Sequence, residues 1–127
     1  MPRIVVLDDE PLISMVSQDW LTELACETVG PANSVRTALR LIASAPPDAA
    51  ILDLFLGDEN SYAVAAELRA RRIPFAFTTG YAHENMDATF KEELVVSKPF
   101  DFEAIKSLVT RLLESAAAEG QNEADEG

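Results

Sequence analysis

The chain has 127 residues, 48% hydrophobic and 25% charged. That is enough for one domain burying about 65–70% of its unfolded surface without disulfides or a structural metal. Its one cysteine, Cys26, excludes an internal disulfide and fits a reducing compartment, and no apolar run reaches the length of a membrane span. A formal charge of −12 excludes nonspecific nucleic-acid binding, which needs clustered Lys and Arg. Five acids and no base lie from Glu114 onward, so residues 1–113 are expected to form the domain and 114–127 an acidic, disordered tail. Asp8, Asp9 and Glu10 come too early for a signal peptide, which leaves a cytoplasmic protein as the default.

Taken in order, Arg3–Asp8 reads as a strand: Ile4, Val5, Val6 and Leu7 are apolar and mostly β-branched. Glu10-Pro11 opens a helix with Leu12, Met15, Val16 and Trp20 at helical spacing, joined by Ile13 and Leu24. Cys26–Gly30 is a weaker strand closed by Gly30-Pro31, and Cys26 is expected as buried filler. Ser34 caps a helix carrying Val35, Ala38, Leu39 and Ile42, which Pro46-Pro47 ends. Ala49–Leu52 is a continuous apolar segment, the pattern of a strand buried on both faces, and it delivers Asp53 to its carboxyl end. After a Gly- and Asp-containing loop, Asn60 or Ser61 caps a short alanine-rich helix to about Arg72. Arg69, Arg71 and Arg72 then read as its solvated end. Phe75–Thr79 is a fourth strand and Leu94–Ser97 a fifth, followed by Lys98-Pro99. Asp101 caps a last helix with Ile105, Leu108, Val109 and Leu112 on one face. Between these last strands, Tyr81–Glu93 has thin apolar spacing, so its helix is expected to be short or mobile, with Met86 and Phe90 in the core or an interface. His83 reads as an exposed loop residue, with no second His or usable Cys to pair with.

Five strand–helix alternations predict an α/β fold with a doubly wound five-stranded parallel sheet in the flavodoxin-like order 2-1-3-4-5. Strands one and three then lie side by side where the winding reverses. Asp8 and Asp9 end the first and Asp53 ends the third, so three carboxylates share one crevice. Like charges this close raise one another's pKa or recruit a cation, and a hard oxygen cluster with room for water suits Mg²⁺. Thr79 and Lys98 reach the same sheet edge. The set describes a phosphoryl-sized site, with Asp53 as nucleophile, Lys98 and Mg²⁺ neutralising the equatorial oxygens, and Thr79 and nearby backbone N–H groups donating hydrogen bonds. A cis peptide at Lys98-Pro99, a proline-specific device, would aim the ammonium.

Asp8-Asp9, Asp53, Thr79-Gly80 and Lys98-Pro99, in this order and each at a predicted strand end, resemble the receiver domain of two-component response regulators over about Arg3 to Leu113. The resemblance implies that Asp53 is the phospho-acceptor and that Asp9 and Asp53 bind Mg²⁺ directly. It further implies a backbone carbonyl ligand from Phe55, with Asp8 acting largely through water. Thr79, Gly80 and Lys98 would bind the phosphoryl group. The donor would be a histidine kinase or a histidine phosphotransfer protein. The reaction would be Mg-dependent self-phosphorylation and autodephosphorylation in cis, and the chain a signalling domain, not an enzyme. Phe77-Thr78-Thr79-Gly80-Tyr81 approximates the receiver subfamily with a Phe-x-Thr-Gly-x-Tyr motif, which pairs with kinases of the HWE and HisKA2 type. Receivers usually carry an aromatic switch residue three positions before the lysine. That position is Val95 here, so Tyr81 or a reordering of Tyr81–Glu93 is the replacement candidate. Phe55, two residues after Asp53, and Tyr81, two after Thr79, flank the approach of water, which predicts slow loss of the phosphoryl group.

Two enzyme-like or cofactor readings fail on the residues. A phosphohydrolase of the haloacid-dehalogenase type needs a carboxylate where Phe55 stands, and a flavodoxin-like cofactor binder needs a Gly-, Ser- and Thr-rich phosphate loop where Asp8-Asp9-Glu10 stands. A phosphorylation-independent interaction module of the same fold is the remaining alternative. No output domain follows in the sequence, so the readout is expected through a protein partner, a homodimer or a role as a phosphate sink.

Overall fold

The computed structural model describes residues 1–80, 86–90 and 93–126, with side chains up to Ala118. Five strands form one parallel sheet: β1 (Arg3–Leu7), β2 (Glu27–Ala32), β3 (Ala49–Asp53), β6 (Phe75–Thr79) and β7 (Leu94–Ser97), in the order β2-β1-β3-β6-β7. This is the expected 2-1-3-4-5 winding. The higher numbers arise because Phe55–Leu56 (β4) and Glu59–Asn60 (β5) form a small antiparallel hairpin in what reads as a loop. The helices are α1 (Pro11–Glu23), α2 (Val35–Ser44), α3 (Tyr62–Ala70) and α4 (Phe102–Glu126).

The period-2 alternation of the strands divides the core between the two faces of the sheet. Val5, Leu7, Ala50, Leu52, Phe75 and Phe77 point to one face, where Ala38 and Ile42 of α2 and Val64, Ala65 and Leu68 of α3 cover them. Ile4, Val6, Ala49, Ile51 and Ala76 point to the other, under Leu21 of α1 and Ile105, Leu108, Val109 and Leu112 of α4.

Strand register aligns the chemistry-bearing ends. Leu7 pairs with Leu52, so Asp8 follows β1 where Asp53 ends β3. Asp53 pairs with Thr78, and Thr79 pairs with Ser97, the residue before Lys98. A shift of one residue in any of these ladders would move its side chains to the opposite face.

Several local expectations change. β2 runs through Gly30-Pro31 to Ala32, because an edge strand tolerates a residue that cannot donate to the ladder. The peptides Gly30-Pro31 and Lys98-Pro99 are both cis. Ahead of α3, the side chain of Asn60 accepts the bond from Tyr62 N at 3.1 Å, and Ser61, at the N-cap itself, makes no capping bond. In the Tyr81–Glu93 stretch the described residues hold one 3-10 turn, Ala88–Phe90, with Met86 and Phe90 buried, while 81–85 and 91–92 lie outside the description. The segment expected as a disordered tail continues α4 to Glu126. Ala116, Ala117 and Ala118 favour helix, and no proline interrupts them.

The largest reversal is α1. Its buried residues are Ser14, Ser17 and Leu21, while Leu12 and Met15 are 76% and 60% exposed and Val16 is also exposed. Two small serines lie under the helix, and Ser14 Oγ donates to Asp8 O at 3.4 Å, so the helix packs close against the end of β1. Leu12, Met15 and Val16 are left facing outward, while Trp20 and Leu24, further along, pack against the core beside Leu21.

Candidate functional site

The carboxylate of Asp53, 5% exposed, ends β3 in the middle of the sheet edge. Asp8 is similarly buried beside it, held by its backbone N–H donating to Ala32 O at 3.0 Å and by its Oδ1 accepting from Glu10 N at 2.9 Å. That second bond turns the chain sharply and sets Asp9 and Glu10 at the rim, both exposed. One carboxylate oxygen from each of Asp8, Asp9, Glu10 and Asp53 lies within 4.8 Å of the others.

Lys98 crosses the edge to meet them. Its backbone N–H donates to Thr79 O at 2.9 Å, which extends the β6–β7 ladder by one residue. Its Nζ lies 3.1 Å from Asp53 Oδ2, 3.2 Å from Asp8 Oδ2 and 3.3 Å from Glu10 Oε1. Burial lowers the proton affinity of this ammonium, but the charges of Asp53 and then Asp8, with their hydrogen bonds, outweigh it and hold its pKa above the ordinary lysine value. Asp53 is pushed up to about 6. Burial is the main cause and the charge of Asp8 the next, Lys98 opposes them without offsetting them, and Asp9 adds a little. One ammonium therefore meets three carboxylates, with Asp9 as a fourth in the same cluster, and the excess negative charge favours a further cation. Hard oxygen donors with this spacing, on an edge open to water, fit Mg²⁺.

The site opens into a groove of about 830 Å³. Asp53, Thr79, Gly80, Lys98 and Phe55 line one part of it, and Leu12, Ile13, Val16 and Trp20 of α1 line another. Thr79 is buried at the end of β6. Asp8, Asp9, Asp53, Thr79, Gly80, Lys98 and Phe55 thus come to one edge. Val95 does not: it pairs with Phe77 inside the β6–β7 ladder and packs on the core. Tyr81 lies outside the described residues.

A model of the response regulator receiver domain matches residues 4–110. The chain belongs to the response regulator receiver family. Among curated proteins, the receiver domain is similar to the sensory transduction protein LytT of Bacillus cereus, 33% identical over 113 residues, covering 83% of this chain and 44% of LytT. It is also similar to the regulatory protein AtoC of Escherichia coli, 30% identical over 120 residues, covering 88% of this chain and 25% of AtoC. The chain thus spans less than half the length of these relatives. Among solved structures it matches SdrG from Sphingomonas melonis Fr1 at 37% identity and TM-score 0.76, covering 92% of this chain and 97% of SdrG. The response regulator PhyR from Brucella abortus matches at 28% and 0.86, covering 99% of this chain and 53% of PhyR. TrrA from Thermotoga maritima, solved in complex with Mg²⁺–BeF, matches at 31% and 0.77, covering 89% of this chain and all of TrrA. Receiver domains are signalling domains of two-component systems, and the family binds Mg²⁺ at an acidic pocket. Among the described residues, no helix is long and apolar enough to cross a membrane.

Two features of this edge escape the sequence reading. Glu10 adds a fourth carboxylate to the cluster and a third on Lys98, signalled only by its place after Asp8-Asp9. Leu12, Ile13 and Val16 of α1 line the groove, and the Ser14, Ser17, Leu21 spacing that marks the buried face is hidden by its two polar members.

Proposed function

We propose that this receiver domain accepts a phosphoryl group on Asp53 from a phosphorylated histidine of a kinase or phosphotransfer protein. It would then signal through a protein partner or serve as a phosphate sink. The observation that carries this reading is the ammonium of Lys98 within 3.1 Å of a buried Asp53 carboxylate at the mouth of an open groove. An oxygen of Asp53 forms the new bond to phosphorus. The bond from phosphorus to the donor's imidazole nitrogen breaks, and its electron pair stays with the imidazole. Lys98 stabilises the charge on the transferred group, and Thr79 and backbone N–H groups at the strand ends orient it. Asp9, Asp53 and the Phe55 carbonyl would hold Mg²⁺, with Asp8 acting largely through water. Bound Mg²⁺ supplies further neutralisation of the phosphoryl oxygens.

The exposed Leu12 and Val16, which line this groove, and the exposed Met15 on the same helix are suited to an amphipathic helix of the donor. Phe77-Thr78-Thr79-Gly80-Tyr81 supports a donor of the HWE or HisKA2 type. The test is incubation with Mg²⁺ and acetyl phosphate, followed by intact mass. An acid-stable, base-labile phosphoryl adduct is expected on the native chain and absent from Asp53→Asn. Equal labelling of both would remove Asp53 as the acceptor.

A further inference from the structure

Phe90 is a buried ring in the connection between β6 and β7, and four side chains enclose it. Tyr62 of α3 stacks on one face, with centroids 5.2 Å apart and planes at 10°. The guanidinium of Arg69, two turns along the same helix, sits 4.4 Å from the ring centroid. Phe77 and Phe75 of β6 meet it edge-on at 5.9 and 6.4 Å. The same two α3 residues also hold the backbone on either side. Tyr62 Oη accepts from Asp87 N at 2.8 Å, and Arg69 donates to Thr89 O at 3.2 Å and to the Glu93 carboxylate at 2.7 Å. A side chain read from sequence as part of a solvated arginine cluster is therefore bound at three points to the connection.

Both walls of this slot are tied to the acceptor edge. Ser61, next to Tyr62, donates its N–H to Leu54 O, and Leu54 follows Asp53 directly. On β6, Phe77 stands two residues before Thr79, and Tyr62 packs edge-on against Phe77 at 6.0 Å. A displacement of Thr79 toward a group on Asp53 therefore acts on the strand that forms one side of the slot, while α3 forms the other.

We infer that Phe90, clamped by Tyr62 and Arg69, is a latch that holds the β6–β7 connection against α3 in the resting state and opens when Asp53 carries a phosphoryl group. Tyr62 and Arg69 are then positioning residues for the phosphoryl site, acting through β6. The inference rests on the proposed acceptor role of Asp53. Linkage supplies a reciprocal consequence. If loading the acceptor weakens the latch, weakening the latch must strengthen loading by the same factor.

The experiment uses the full chain with Mg²⁺ and beryllofluoride as the phosphoryl mimic. Affinity is read by calorimetry, and amide hydrogen exchange of Met86–Phe90 is read by mass spectrometry. Phe90→Ala and Arg69→Met are expected to bind beryllofluoride about fivefold or more tightly than the native chain. Tyr62→Phe keeps the stacked ring, loses the bond from Asp87, and should shift affinity in the same direction by less. In the native chain, Met86–Phe90 should exchange faster when loaded. If Phe90→Ala fails to fold, Arg69→Met and Tyr62→Phe carry the test. Lower melting temperatures with unchanged affinity would make the clamp merely structural and overturn the latch, as would slower exchange of Met86–Phe90 on loading. If the native chain itself binds no beryllofluoride, the acceptor reading fails and the latch with it. Binding by the native chain with unaltered variants sinks the latch alone.

Discussion

The Nζ of Lys98 stands 3.1 Å from Asp53 Oδ2 and 3.2 Å from Asp8 Oδ2, so one ammonium serves two buried carboxylates from neighbouring strands. It cannot satisfy both fully, and Asp9 and Glu10 add further negative charge at the rim. Such an edge is electrostatically costly when empty and gains from each positive charge it acquires.

The first consequence concerns stability without metal. The folded state binds a proton on Asp53 more tightly than the unfolded chain does, with a pKa of about 6 against 3.8. The corresponding stabilisation is complete below about pH 4 and is lost as pH rises through about 6, at most about 3 kcal/mol. Asp53→Asn removes the titration and the repulsion from Asp8. In chelator-treated protein it should be more stable than the native chain at pH 7, and the gap should narrow toward pH 4. Denaturant curves that stay parallel across this range would show that Asp53 carries no such burden.

Phosphoryl transfer from a protein donor should depend on the outward row of α1. Leu12→Asp and Met15→Asp alter exposed positions, so melting temperature should change little, by about 0.5 kcal/mol or less in stability. Labelling from a phosphorylated donor protein should fall about tenfold or more, while labelling by acetyl phosphate stays the same. A loss that is equal with both donors would place the effect at the acceptor edge rather than at the docking face.

Much of this architecture is legible in the chain itself. Apolar runs ending on Asp8, Asp53, Thr79 and Lys98 specify a parallel sheet, because such strands are buried on both faces and expose only their ends. The orientation of α1 is not legible. Leu12, Met15 and Val16 have the spacing of a core face, yet close packing under Asp8 selects the smaller Ser14 and Ser17. The role of Arg69 is hidden for a similar reason. Its partners Phe90 and Glu93 lie more than twenty residues away, and no local pattern announces a cation over a distant ring.

Phe55 lines the groove beside Asp53 and is 36% exposed. As a screen against water, it should lengthen the life of an acyl phosphate on Asp53. Phe55→Asn is expected to shorten that lifetime several-fold, measured as loss of the phosphoryl adduct after removal of donor. A longer lifetime in this variant, or a half-life of seconds in the native chain, would end the shielding role.

Two glycines separate strain from crowding. Gly57 has φ +65° with open space around it, whereas Gly30 has φ +97° and a Cβ there would meet Ala32 N at 2.7 Å. Asparagine tolerates the left-handed region, so Gly57→Asn should be close to neutral. Gly30→Asn should cost more than about 1 kcal/mol in denaturant unfolding. Equal costs would mean that the β2 edge relaxes around the added carbon.

The most direct measurement fixes the position of the acyl phosphate. After incubation with Mg²⁺ and acetyl phosphate, borohydride reduces an aspartyl phosphate to homoserine, which peptide mass spectrometry locates. Homoserine at position 53, dependent on both donor and Mg²⁺, is the expected result. Homoserine at position 8, 9 or 58 instead, or at none of them, would contradict the assignment of Asp53 as the acceptor.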